Sequence, residues 1–275
     1  MQLALIAALA LAFFVAERLL PGRHLPEPPG WYARAVLLNA AQLGVVVLAG
    51  VTWNRWLPGR SLLDMSALHP VAQGFVAWFC GTFVFYWWHR LRHDVDWVWR
   101  VFHQIHHSPA RIEMLTAFYK HPLEIAANSV IASALTFTVL GGTLEGAAWF
   151  NVFATTGEFF YHSNLRTPRW FGWFLQRPEQ HSIHHQLGIH SFNFGDITWW
   201  DRLFGTFREA DAFAAECGFG SDRETELAAM LAFRDRSSGR PAGTPAPAAV
   251  AITAAPTLRR RNRAVWRRKR AHRTP

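Results

Sequence analysis

Apolar runs alternate with charged or histidine-rich sequence along this chain, and that alternation leaves few folds open. Residues 2–16 (QLALIAALALAFFVA) carry no charge before Glu17 and Arg18. About twenty such residues cross the hydrocarbon core of a bilayer as a helix, and a helix satisfies its own backbone there. Further runs extend roughly over 34–53 and 71–88. Residues 122–160 are apolar again except for GGTLEG at 141–146, which predicts a hairpin of two spans or one deep re-entrant pair. A Pro/Gly loop at 21–33 (PGRHLPEPPGWYA) and another around Pro58, Gly59 and Asp64 separate the first three runs. A cleaved signal peptide is the rival reading of the first run. It is disfavoured, because no basic stretch precedes the run and no small-x-small site follows it. Charged residues make up 17% of the chain, below the roughly 25% of soluble proteins. The expected fold is all-α: an integral membrane helical bundle of about four to five spans with a cytosolic, histidine-rich helical cap.

Charge sets the expected orientation. Nine of the 28 basic residues lie in the last seventeen positions (RRRNRAVWRRKRAHRTP), leaving 19 against 19 acids elsewhere. With five crossings and the N-terminus outside, one face collects Arg18, Arg23, Arg90, Arg92, Arg100, Arg111, Lys120 and the tail, while the loops of the other hold Arg55 and Arg60. The positive-inside rule then places every histidine cluster in the cytoplasm. The expected organisation is N-terminal spans over 1–74, a histidine-box catalytic domain with a membrane hairpin over 75–210, a short cytosolic helix within 211–238, and a disordered basic tail over 239–275. No nucleic-acid motif accompanies the tail, so nucleic acid is not an expected partner. Cys80 and Cys217 suggest neither a disulfide framework nor a thiolate site.

The third run delivers HRLRHDVDWVWRVFHQIHHSPA, with five histidines between His89 and His107. His89 and His93 are four apart and share one face of a helix. His103, His106 and His107 form H-x-x-H-H, and the pattern returns as His181, His184 and His185. His162 follows the last run, four residues after Glu158. A single histidine beside a membrane interface is ordinarily structural. Two matched triplets are different: crowded imidazoles repel when protonated and cost desolvation when neutral, unless a cation organises them. So many imidazoles exceed the needs of one ion, and two ions share them more comfortably. A four-coordinate structural zinc does not need this many ligands. A dinuclear iron centre that activates O2 fits the count, with the bilayer supplying an apolar substrate.

The order H-x3-H (89–93), H-x2-H-H (103–107), KHPLE (120–124), HSN (162–164), H-x2-H-H (181–185), NFG (193–195) and WDRLFGTF (200–207) resembles the fatty acid hydroxylase / sterol desaturase superfamily, over roughly residues 75–208. The resemblance implies an integral membrane di-iron enzyme that uses O2 and reducing equivalents on an unactivated C–H bond of a lipid. By position it assigns His89, His93, His103, His106, His107, His181, His184 and His185 as metal ligands, with His162 as the histidine after the last span. Where some relatives carry His or Asn, this chain has Glu158: a carboxylate ligand, a hydrogen-bond partner of an imidazole, or an acid on the helix face. His121, in KHPLE, reads as a supporting residue more than a ligand. His190 is additional to the paired boxes. Asn193 is either an amide that bonds a ligand or a turn residue before Gly195. Asp201 and Arg202 are expected to stabilise the cap.

Such chemistry needs a narrow apolar channel that excludes water. Phe85, Trp88 and Trp97 are candidate channel walls, although an interfacial aromatic belt is the blander explanation for most aromatics there. The chain carries no G-x-G-x-x-G and no haem segment, so an external electron donor of reductase, ferredoxin or cytochrome type is implied. The leading expectation is a hydroxylase acting on a fatty acyl, sterol-like, ether-lipid or aminolipid substrate in a bacterial inner membrane, with two iron ions and O2 as co-substrate. A desaturase with the same centre is the alternative. A histidine-rich metal transporter is a third, which predicts ionisable residues through the spans.

Overall fold

A computed structural model of the chain describes residues 1–59, 61–220 and 223–237. The expected basic tail lies outside the described residues. Five long helices form the body: α1 (Gln2–Leu19), α2 (Trp31–Val51), α3 (Pro70–Asp94), α4 (Pro122–Ser133), which runs on as a π-helical turn over Ala134–Val139, and α5 (Leu144–His162). Among the described residues there is no strand, only isolated bridges between Leu175 and Ile197 and between Gln186 and Cys217. Three stretches are long and apolar enough to cross a membrane: Gln2–Leu19, Trp31–Trp56 and Pro122–Val139. α3 and α5 have the length but carry more polar side chains.

The helix starts follow the sequence. Pro70 and Pro122 occupy the first turns of α3 and α4, where a missing N–H costs nothing. The residue before each is a histidine, and its Nδ1 accepts the next free backbone N–H: Val71 N to His69, and Leu123 N to His121 at 3.0 Å. Thr143 caps α5 by accepting from Gly146 N at 3.1 Å.

α3 and α5 pack together along glycines. A Cβ on Gly74 would stand 2.4 Å from the Cβ of Trp149, so only glycine permits this approach. Gln73 clasps the same crossing, its Oε1 accepting from Thr143 N at 2.8 Å. α1 packs on α5 and α2 on α4. The outer faces of α1 and α2 expose Leu3, Leu11, Leu19, Val36, Leu37, Leu43 and Val47, as lipid-facing surfaces do.

A cap closes one end of this body. Its apolar core joins Trp31, Leu38, Trp99, Ile105, Tyr119, Phe219 and Met230, and the Trp31 and Tyr119 rings stack 5.2 Å apart. Glu17, at the end of α1, accepts backbone N–H bonds from Met114 and Asn164 at 3.0 and 3.1 Å, which ties the first helix to two cap loops. The helix expected within 211–238 shrinks to Leu227–Leu231. Leu227 and Met230 sit in the cap core, and the flanking chain follows their packing instead of continuing a helix.

Candidate metal centre

The clusters converge where α3, α5 and the cap meet. His89 and His93 come from the last turns of α3. His103 ends a π-helical turn, Trp99–His103, and a single α turn, Gln104–His107, follows. π turns recur at functional sites because they re-aim side chains. His162 closes α5, and His181 and His184 lie on a short helix, α6 (Pro178–His184).

Donor atoms from nine histidines fall into two buried groups, each within 4.8 Å: His89, His93, His103, His107 and His184 in one, His106, His162, His181 and His185 in the other. The i,i+4 pairs 89/93, 103/107 and 181/185 stay together, as a helix face dictates. The middle residue of each H-x-x-H-H crosses over: His106 joins the second pair of boxes and His184 joins the first. Each H-x-x-H-H is thereby split between the two groups. The groups touch through the His107 and His185 rings, stacked 4.2 Å apart.

Four of the rings are aimed by what their Nδ1 atoms bond. His89 Nδ1 and His184 Nδ1 donate to the carbonyls of Phe194 and Phe192, both at 2.7 Å. His162 Nδ1 donates to Glu158 O at 2.8 Å, and His103 Nδ1 to Glu124 Oε1 at 3.0 Å. Nε2 of each is left as the ligating atom. Nε2 of His89, His103, His107 and His184 is buried and makes no hydrogen bond, which is costly unless a cation takes the lone pairs. In the second group the Nε2 atoms of His106 and His162, His162 and His181, and His181 and His185 stand 3.2, 2.9 and 3.1 Å apart. With metal–nitrogen bonds of about 2.1 Å, ligands at right angles stand about 3.0 Å apart and tetrahedral ones about 3.4 Å. The spacing fits a six-coordinate ion with positions left open better than a closed tetrahedral zinc site.

Protonation agrees. Burial, helped by neighbouring cationic groups, pushes His103, His106, His107, His181 and His185 well below the usual imidazole range. Burial likewise holds His184 down at about 3. At neutral pH all are uncharged and ready to ligate.

The loop that supplies the aiming carbonyls is strained. His190, Phe192 and Asn193 adopt φ of 43°, 68° and 48°, a region unfavourable to side-chain-bearing residues. Asn193 and Asp201 hold it there. Asn193 Nδ2 donates to Gln180 O and Arg208 O at 3.0 and 2.9 Å, and its Oδ1 accepts from Arg208 N. Asp201 accepts from Phe194 N and Gly195 N, both at 2.8 Å, and from Thr206 Oγ1 at 2.6 Å. The NFG and WDRLFGT motifs are thus a buckle that fixes two imidazoles. Asn193, with both ends of its amide bonded, is part of the frame.

Other sequence candidates separate. Glu158 belongs to neither group: its Oε1 pairs with Lys120 Nζ at 2.7 Å, and its Oε2 lies 3.5 Å from His162 Nδ1. His121 caps α4 and reaches Leu231 O at 3.4 Å. His190 Nδ1 lies 3.2 Å from His107 Nδ1, beside the first group. Phe85 lines a cavity of about 170 Å3 that opens from His89, His103, His106, His162 and His181 into the helical body. Trp88 stands outside its lining and donates to Asn128, which does line it, at 2.7 Å. Trp97 is 60% exposed and forms no channel wall: it follows the end of α3 and points away from the bundle. Sequence reasoning missed Glu124, which also pairs with buried Arg92, and Asp196, which faces the cavity with its carboxyl pushed up to about 7 by burial. KHPLE contained the first signal; nothing local marked the second.

Buried, neutral imidazoles in two adjoining groups, at one end of an apolar helical bundle, define a membrane protein able to hold two metal ions side by side. Residues 74–206 match the fatty acid hydroxylase family. It is similar to sphinganine C4-monooxygenase 1 of Arabidopsis thaliana (31% identity, 44% of this chain and 48% of the relative). It also resembles an alkylglycerol monooxygenase of Xenopus tropicalis (29%, 46% and 28%) and a very-long-chain aldehyde decarbonylase of Oryza sativa subsp. indica (30%, 43% and 47%). The matches span about half the length of these relatives or less. No solved structure matches the chain.

Proposed function

We propose that this chain is a membrane-bound, non-haem di-iron oxygenase that hydroxylates a C–H bond of a lipid with O2 and electrons from a separate donor. The observation that carries this reading is the sorting of nine imidazoles into two adjoining buried groups that open on a cavity inside the helical body. The residues proposed to hold the irons are His89, His93, His103, His107 and His184 for one, and His106, His162, His181 and His185 for the other. The irons, when bound, supply O2 activation and C–H oxidation. The protein aims four of the nine ligands through Nδ1 contacts with Phe192 O, Phe194 O, Glu158 O and Glu124, and buries all nine so that water is kept from the reacting carbon. Two of the three relatives named above are monooxygenases, which favours hydroxylation over desaturation.

The arginine asymmetry supports five crossings with the histidine end in the cytoplasm, where a reductase, ferredoxin or cytochrome-type donor would reach it; the Ala/Arg-rich composition and short loops support a bacterial inner membrane. The test is elemental analysis of the detergent-purified protein beside mass spectrometry of lipids from cells with and without it. Two irons per chain and a lipid heavier by one oxygen are expected. A loss of two hydrogens would make the enzyme a desaturase, and a chain loaded with zinc alone that consumes no O2 would overturn the reading.

A further inference from the structure

We infer that Lys120, Glu158, Tyr161 and Asp196 form a recognition site for a hydrogen-bond-donating head, hydroxyl or amine, carried by the substrate within a few bonds of the carbon that is oxidised. The inference rests on the oxygenase reading and adds the class of lipid. All four side chains line the cavity onto which His106, His162 and His181 open. Lys120 Nζ holds Glu158 Oε1 at 2.7 Å, and the Tyr161 hydroxyl stands beside both the Glu158 and the Asp196 carboxyl groups. The Tyr161 ring lies 4.9 Å from His162 and 4.7 Å from His181.

The wall has acceptors to spare. Glu158 Oε2 is buried and makes no hydrogen bond. The other charges facing the cavity, on Arg92, are taken up by Glu124. Two carboxyl groups therefore share one ammonium group. An alkyl chain threaded past these groups would leave them without partners, which is unfavourable in a dry cavity. A hydroxyl or amino group meets the spare oxygen. Glu158 Oε2 is 3.5 Å from His162 Nδ1, so a head bound there stands about one imidazole width from the ligating Nε2 atoms. That fixes the oxidised carbon near the head and not at the far end of the tail.

The test uses the purified, metal-loaded protein without reductant, so that binding is read and no turnover occurs. The probes are hexadecylglycerol (hydroxyl donors), sphinganine (amine and hydroxyl donors) and hexadecane (none), measured by native mass spectrometry and thermal shift, with metal content read in parallel. In the unaltered protein both polar probes are expected to bind at least tenfold tighter than hexadecane. Asp196→Ala and Glu158→Gln are each expected to remove most of that preference while metal content stays unchanged; the second variant stands if the first fails to fold. A preference for sphinganine alone would place the ammonium on the carboxyls, and equal binding of both would identify the hydroxyl as what is read. Binding of hexadecane as tight as the polar probes, or variants that lose metal in place of probe preference, would overturn the inference. A protein that discriminates the probes but takes up no iron would overturn the oxygenase reading alone.

Discussion

His103 Nδ1 donates a 3.0 Å hydrogen bond to Glu124 Oε1, joining a π turn in the cap to the first turn of α4. Glu124 also pairs with buried Arg92 from α3, so one carboxylate sets the ring of a candidate ligand and neutralises a cation. Glu124→Leu should weaken metal binding by about 10- to 100-fold, as loss of such support generally does. Glu124→Gln, which can still accept from His103, should recover part of it. Competition with a chelator measures both, and unchanged affinity in the leucine variant would refute the role.

Adjacent histidines should serve different ions. His184→Ala is expected to empty the five-histidine group and His185→Ala the four-histidine group, each leaving about one metal per chain, while His121→Ala keeps both. Stoichiometry of the cobalt-loaded variants decides it. Loss of the same ion from both would mean that the groups are wrongly drawn.

Gly74→Ala should destabilise the fold by about 1–3 kcal/mol, the usual cost of overpacking, because the new Cβ meets Trp149 at 2.4 Å and Phe150 N at 2.7 Å. Gly44→Ala, with nothing within 4 Å of its Cβ, should be neutral or slightly stabilising. Thermal unfolding in detergent compares them.

Acid should loosen the metal-free protein. Burial holds His184 at about 3, whereas the unfolded chain titrates near 6.5. Between those values the unfolded state binds protons that the folded site does not, so stability is full above about pH 6.5 and falls as pH drops towards 3. Melting temperatures of chelator-treated protein should be level from about pH 8 to pH 7 and fall below about pH 6. A level profile down to about pH 4 would show that the folded site takes up protons as readily as the unfolded chain does.

Much of the fold was legible because its causes are local. Apolar runs such as 2–16, prolines at 70 and 122, and GGTLEG at 141–146 mark helices and their ends with no partner needed. Six of the nine histidines were visible as the i,i+4 pairs 89/93, 103/107 and 181/185, since helical spacing is a property of one segment. The span count was less legible, because α3 and α5 trade apolar side chains for the polar groups that line the cavity. The channel wall was partly misread: Phe85 faces the cavity and Trp97 faces outward, and both look alike as aromatics at the end of an apolar run.

The sequence by itself determined that helices cross an apolar medium and that imidazoles collect at one end, since hydropathy and periodicity act residue by residue. Only the tertiary structure decided that His106 and His184 exchange groups. It also decided that Glu124 and the carbonyls of Phe192 and Phe194 choose the ligating nitrogens of three rings, and that Asp196 and His162 line one cavity. Each of these depends on segments tens of residues apart meeting at distances of a few ångströms, and no local pattern records such a meeting.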